Sequence, residues 1–287
     1  MKVFLRHAAR MAALVVAAAI ACALLVRYSP GALVDDREMD QRLSEQSLAA
    51  LRAERAAKQN VGANLVRYLG GLPKGDLGYS TSHNAPIATL IADGAPATLR
   101  EIAVGLAGAW LLGLSLAIPV GRFRDAWMYD ALSATAAGLL LSLPAALLAY
   151  FCLMAGGRAE TVLVLVLAPR IFRFSRNLLV QAYGSVHVQM ARARGVGEMR
   201  ILAAHVLPDT ASQMLALAAA STSMAIGAAI PIEAVCDAAG LGRLAWQAAT
   251  ARDLPLLVTL TMLVALATTA AMAISEAASS RTKVNAQ

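Results

Sequence analysis

The sequence predicts an all-α membrane protein with six transmembrane helices and both termini in the cytoplasm. Three observations carry this reading. Of 287 residues, 59% are hydrophobic and 15% charged, and the mean hydropathy is +0.61, too apolar for an ordinary soluble domain. The apolar residues fall in long charge-free runs, and about 20 apolar residues cross the hydrocarbon core as a helix. The Lys and Arg residues collect on alternate connections, as the positive-inside rule requires.

The spans follow in order along the chain. Met11–Val26, between Arg10 and Arg27, reads as the first, an N-terminal anchor. Its basic start and Ala21-Cys22-Ala23 trio resemble a signal peptide or a lipoprotein site before Cys22. The long apolar run and the odd span number that cleavage would leave favour an uncleaved anchor. Ile102–Gly121, Ala131–Gly157, Thr210–Ile232 and Leu254–Ser275 are the other clear runs. A sixth span is expected at Ala159–Tyr183, where an apolar half leads into Arg170, Arg173 and Arg176. Arginines three apart share a helix face roughly. They either snorkel to the interface or line a cytoplasmic vestibule, and the residues alone leave both open.

With the N-terminus inside, thirteen Lys and Arg residues fall on inner segments, among them Arg122, Arg124, Arg192, Arg194 and Arg200. Only Arg158, Arg243 and Arg252 fall on the short outer loops. The long connection between the first two spans translocates regardless of its charge. Three domains result: an anchor at 1–27, an outer loop at 28–97 and a five-helix core at 98–287. In the outer loop Asp35 and Asp36 are expected to cap a polar helix over Arg37–Lys58, and Gly70–Ser80 reads as turns. Gly105, Gly108, Gly113 and Gly121 suit close helix packing.

Several functions are disfavoured. The net charge of +7 follows from topology and comes without the aromatic-interleaved basic patch of a nucleic-acid binder. Cys22, Cys152 and Cys236 and four dispersed histidines suggest neither a disulfide framework nor a metal site. No charge-free run holds an acidic residue or histidine, which speaks against a proton-coupled carrier. No P-loop lysine motif occurs, so ATP-Mg would be handled by another subunit. No nucleophile–base pair stands out, and no catalytic residue is assigned.

The segment Gln189–Pro208, Q-M-A-R-A-R-G-V-G-E-M-R-I-L-A-A-H-V-L-P, is a basic, Gly-punctuated loop between apolar runs. Gly195 permits a sharp bend between two short helices, and Pro208 suits the start or kink of the next span. This loop resembles the cytoplasmic signature of inner-membrane permeases of binding-protein-dependent ABC importers, in their dipeptide/oligopeptide/nickel branch. Ala191, Gly195, Leu207 and Pro208 stand in register with it; Ala191-Arg192-Ala193-Arg194-Gly195 and His205 follow the branch's variant. Further fragments agree in order: G-D-L-G-Y-S at Gly75–Ser80, P-A-T-L at Pro96–Leu99, S-L-P at Ser142–Pro144, G-L-G-R-L at Gly240–Leu244 and R-D-L-P at Arg252–Pro255. Gln189 replaces the signature's Glu, and the branch's D-P-R after the last span is missing.

The resemblance implies a type I ABC importer permease architecture. It implies that Gln189, Ala191, Arg192, Ala193, Arg194, Gly195, His205, Leu207 and Pro208, within a loop at about 184–209, couple to an ATPase. It also implies outer loops facing a receptor, with Gly75, Asp76, Gly78, Tyr79, Gly240, Gly242 and Arg243 as candidates. Expected partners are a second homologous permease, two cytoplasmic ATPases, a periplasmic or lipid-anchored solute-binding protein and membrane lipid. Short peptides head the expected cargo, ahead of nickel chelates, glutathione-like molecules and sugars. The rival reading is a non-transport membrane scaffold that recruits a soluble protein through the basic loop.

Overall fold

The computed structural model describes residues 13–22, 24–25, 77–122 and 127–284, with side chains through residue 274. The expected polar helix at 37–58, and Gly75 and Asp76, lie outside the described residues. The chain divides into two compact units, one of residues up to Gly94 with Leu244–Leu266, the other of Ala95–Arg243 with the residues from Ala267 onward.

In the first unit, helix α1 (Ala13–Cys22) places the buried Ala19 beside Val258. A small antiparallel hairpin pairs β1 (Tyr79–Ser80) with β2 (Ala85–Pro86), Tyr79 opposite Pro86. Asn84, with φ of 48°, turns the chain back, and the Tyr79 hydroxyl donates to its carbonyl oxygen. Asparagine tolerates this left-handed conformation better than most residues.

Helix α2 (Ile87–Arg122) runs from the hairpin for 36 residues despite Pro96 and Pro119. In the second unit its four glycines all meet α5 (Ala159–Tyr183). A Cβ would lie 2.6 Å from Leu163 at Gly105, 2.7 Å from Val164 at Gly108, 2.8 Å from Ile171 at Gly113 and 2.9 Å from Leu179 at Gly121. All four admit α5 at close range, in keeping with the expectation of close helix packing. Leu163, Leu167, Ile171, Leu217 and Ile232 form the main buried cluster beside this seam.

The expected single span at 131–157 is two helices, α3 (Trp127–Ser142) and α4 (Ala145–Met154), bent by 101°. Pro144 supplies no amide to the helix ladder and steers Leu143 out of the α region, so S-L-P breaks an unbroken apolar run. A short helix α6 (Val186–Ala193) and a single turn α7 (Glu198–Ile201) follow α5. A π-helical turn, Leu202–Val206, leads into α8 (Leu207–Cys236), with Pro208 in its first turn. The wider π turn gives the Pro208 ring room beside the carbonyl four residues back, where an α-helix would clash. Helix α9 (Leu241–Thr250) and α10 (Leu254–Val284) complete the chain.

Among the described residues three helical stretches are long and apolar enough to cross a membrane: Ile87–Arg122, Glu198–Cys236 and Leu254–Ile274. The bent α3–α4 pair makes four if it counts as one span. Helix α5 has the expected bounds, and its arginines dilute its apolar character.

Candidate functional site

The loop after α5 is built on a helix ending that glycine dictates. Gly195 has φ of +77°. Its amide donates to the Arg192 carbonyl at 3.0 Å, and the Val196 amide reaches back to the Ala191 carbonyl at 3.1 Å. This is a Schellman ending, with glycine at the left-handed position. Nothing lies within 4 Å of where a Gly195 Cβ would project, so backbone conformation alone accounts for the glycine.

Helix α6 is anchored by one apolar edge. Val188 and Ala191 are buried with Phe172, Leu179, Tyr183, Ile201 and Val206. The opposite edge is open, with Val186 and Met190 69% and 57% exposed, and Met199 of α7 is 75% exposed. Two polar clasps brace the loop. Arg192 donates to both Glu198 carboxylate oxygens at 2.8 and 3.2 Å, a bidentate arrangement with geometric specificity. His187 approaches Asp209, at the head of α8, to 3.1 Å. The Gln189 side chain caps the α5 terminus by donating to the Gly184 carbonyl at 3.0 Å.

The signature residues therefore assemble into one bent helical hairpin. Ala191 packs inward, Gly195 turns the chain, His205 sits in the π turn beside His187, and Leu207 and Pro208 start α8. Ala193 and Arg194 remain exposed. The sequence reading missed the exposed methionines. Met190 and Met199 sit on opposite sides of the turn, and such flexible, polarisable side chains suit a protein-binding surface.

The vestibule candidates separate. Arg170 and Arg173 are exposed, whereas Arg176 makes a two-pronged ion pair with Asp130 of α3. It lines a cleft that also includes Arg122 and Arg192.

A second constellation surrounds the α8–α9 turn. Glu233 is fully buried. Its carboxylate accepts from Thr98 Oγ1 at 2.6 Å, the Gly242 amide at 2.7 Å and the Arg243 amide at 3.2 Å. The Leu241 amide donates to Thr98 Oγ1 at 2.8 Å. These amides are the orphan donors of the α9 N-terminus, and an anion suits them on hydrogen-bonding and dipole grounds. A Cβ at Gly240 would lie 2.1 Å from Glu233 Oε2, and one at Gly242 2.7 Å from the Ile230 Cα. The two glycines of G-L-G-R-L thus turn inward onto a latch, while Arg243 pairs with Asp237 at 2.6 Å.

The sequence missed this latch for an identifiable reason. Glu101 and Glu233 border the charge-free runs, but their helices extend past those borders and bury both acids. The expectation of acid-free spans needs that correction. Glu101 lies one turn from Thr98 on α2, and its Oε1 has no hydrogen-bond partner.

In the first unit, buried Asp253 ties the hairpin to the α9–α10 connection. It accepts from Ser80 Oγ at 2.6 Å, Ser82 Oγ at 2.8 Å and the Ser82 amide at 2.9 Å, and it caps α10 through the Leu256 amide at 3.3 Å. Burial opposes its ionisation, but the donated hydrogen bonds outweigh burial and hold the carboxyl below the usual aspartate value. Gly78 and Tyr79 lie at the base of this strap, with Tyr79 54% exposed.

Residues 109–284 match the family described as binding-protein-dependent transport system inner membrane component. The chain belongs to that family. A putative peptide permease of Brucella suis biovar 1 is 27% identical over 271 residues, covering 84% of this chain and 85% of the relative. A glutathione transport system permease of Salmonella paratyphi A is 25% identical over 251 residues, covering 81% and 80%. A chain of the MetNI methionine ABC transporter, solved in inward-facing conformations, shares the fold. Its TM-score is 0.56 at 23% identity, over 66% of this chain and 95% of that one. This permease is thus the bacterial inner-membrane component of an ABC importer that works with a separate binding protein.

Proposed function

We propose that the permease forms half of a translocation pathway for peptides or similar small solutes, beside a second, homologous permease. Six spans, with both termini in the cytoplasm, place the α6–α7 hairpin where two cytoplasmic ATPases can grip it. ATP-Mg is bound and hydrolysed on those subunits, and this chain transmits the resulting movement. The permeases for peptides and glutathione among its relatives support this cargo class.

One observation carries the reading: the hairpin at Gly195 has an anchored inner edge, an apolar outer edge at Val186, Met190 and Met199, and a continuous helical run from Glu198 to Cys236. A push on the hairpin therefore loads a rod that ends at the Glu233 latch. Arg192 and Arg194 supply electrostatic steering. The Asp253 strap and the Asp237–Arg243 turn lie at the other ends of their helices and face the solute-binding protein. Arg176, fixed by Asp130, belongs to the cytoplasmic mouth.

Co-purification tests this. The tagged permease should bring down a P-loop ATPase and a second permease. Met190→Asp with Met199→Asp should lose the ATPase while retaining the second permease. Retention of the ATPase by that variant, with transport intact, would refute the docking surface. Recovery of the permease without any ATPase would favour a scaffold.

A further inference from the structure

The depth of α5 in the membrane is set by the helix it packs against. The charge-free run Ile102–Gly121 of α2 measures about 30 Å as a helix, the thickness of a hydrocarbon core. Gly105, Gly113 and Gly121 meet Leu163, Ile171 and Leu179 in turn, so the two helices run in the same direction and in step. Gly113 stands just past the middle of that run. Arg170 is therefore level with the bilayer centre, and Arg173 lies about 4.5 Å nearer the cytoplasm.

Both arginines are exposed, and among the described residues neither has a hydrogen-bond or ion-pair partner. An unpaired guanidinium at the bilayer centre is costly against lipid, and snorkelling serves only groups near the helix ends, so these two face water or a polar partner. The surface of α5 changes at the same level. From Val162 to Pro169 no residue is exposed, whereas Arg170, Arg173, Asn177 and Gln181 all are. At 100° per residue these four fall within about 80° of one another, one polar stripe from the bilayer centre to the cytoplasmic end. Arg176 stands off the stripe, committed to Asp130. Such a face is the wall of a water-filled passage that closes above Arg170.

We propose that Arg170 and Arg173 form a carboxylate subsite in the translocation passage, which takes the C-terminal carboxylate of a peptide near the bilayer centre. The site rests on the passage and cargo class proposed above, and adds the chemical group by which the cargo is held. Arginine stays charged throughout the physiological range, and its planar fork matches a carboxylate with two parallel hydrogen bonds. Every linear peptide with a free C-terminus carries that carboxylate whatever its side chains are. Two arginines one turn apart can therefore hold peptides of many sequences.

The test uses the full-length permease, purified with the subunits that accompany it, with Cys22, Cys152 and Cys236 replaced by alanine and Asn177→Cys introduced. The new thiol is labelled with anionic sulfonatoethyl methanethiosulfonate or with the cationic trimethylammonioethyl reagent, each rate being taken relative to a free thiol. The anionic reagent should be favoured, and Arg170→Gln with Arg173→Gln should lower that preference about tenfold, as expected for a charged cleft that concentrates counter-ions. Trialanine should slow the labelling, whereas trialanine amide, which lacks the carboxylate, should not. The protection should vanish in the double Gln variant. Arg170→Lys should keep the charge preference and weaken the protection severalfold, because an ammonium cannot grip both oxygens in one plane.

A thiol that neither reagent reaches would overturn the subsite, because the stripe would then lie against lipid or protein. So would a charge preference untouched by the Gln variants. Equal protection by the amide would remove the carboxylate from the recognition, and equal protection by acetate would reassign the arginines to small anions. Uptake of trialanine by cells carrying the unmodified transporter reports separately on the cargo. Uptake without protection would sink the subsite alone. Absence of uptake would sink the peptide cargo, and the subsite with it.

Discussion

Gly195 and Gly240 are required for opposite reasons, and substitution distinguishes them. At Gly195 there is space for a side chain, but the backbone is left-handed. A β-branched residue there should cost about 1–2 kcal/mol, and Gly195→Asn should cost less, since asparagine visits this region. Thermal unfolding in detergent measures both, and ATPase co-purification should fail with Gly195→Val before it fails with Gly195→Asn. Equal effects from the two variants would show that side-chain bulk, not backbone conformation, matters. At Gly240 the obstacle is the Glu233 carboxylate, which three donors hold in place. Gly240→Ala should therefore break the latch, and Glu233→Gln should weaken it by about 1–3 kcal/mol, the cost of poorly met buried donors. Because both changes strike one network, the double variant should lose clearly less than the sum of the two. Additive losses would mean that the glycine and the carboxylate do not share a structural role.

At the scale of elements, the strap at Asp253 makes a pH prediction with a definite sign. Its carboxyl is depressed in the folded protein relative to about 3.9 in an unfolded chain. Its stabilisation is therefore complete above that value and lost as pH falls through the lower, folded pKa. Amide protection factors across Tyr79–Ala85, corrected for the intrinsic pH dependence of exchange, should fall below about pH 4, and Asp253→Asn should show the low protection already at neutral pH. Unchanged protection in Asp253→Asn would leave the serine contacts without an anchoring role. In the sequence R-D-L-P stood out only as a fragment of the family resemblance, and no cap or strap was read at Asp253, whereas the bend at Gly195 was legible because glycine admits such a turn. The α3–α4 bend was legible only as a proline, since composition across 131–157 is uniformly apolar and says nothing of a bend. The Glu233 latch could not be read at all. It joins residues 135 positions apart, and a search for charge-free runs ends each span where such an acid begins.

At the scale of the molecule, length decides which surfaces can meet which partners. The helical run Glu198–Cys236 has 39 residues and measures about 58 Å at 1.5 Å per residue. A hydrocarbon core is about 30 Å thick, so the two ends of this run emerge on opposite sides. Its first residue clasps Arg192 of the α6–α7 hairpin, and its last turn carries Glu233 and leads to the exposed Ala239. If the hairpin lies in the cytoplasm, as proposed from the distribution of Lys and Arg, the α8–α9 turn lies outside. In a background with Cys22, Cys152 and Cys236 replaced by alanine, Arg194→Cys should react with an impermeant maleimide only in inverted vesicles. Ala239→Cys should react only in intact spheroplasts. If both positions label from one side, the run is not a span, and the hairpin cannot transmit movement across the membrane. If the two sides are exchanged, the receptor and the ATPases trade places and the coupling assignment falls with them.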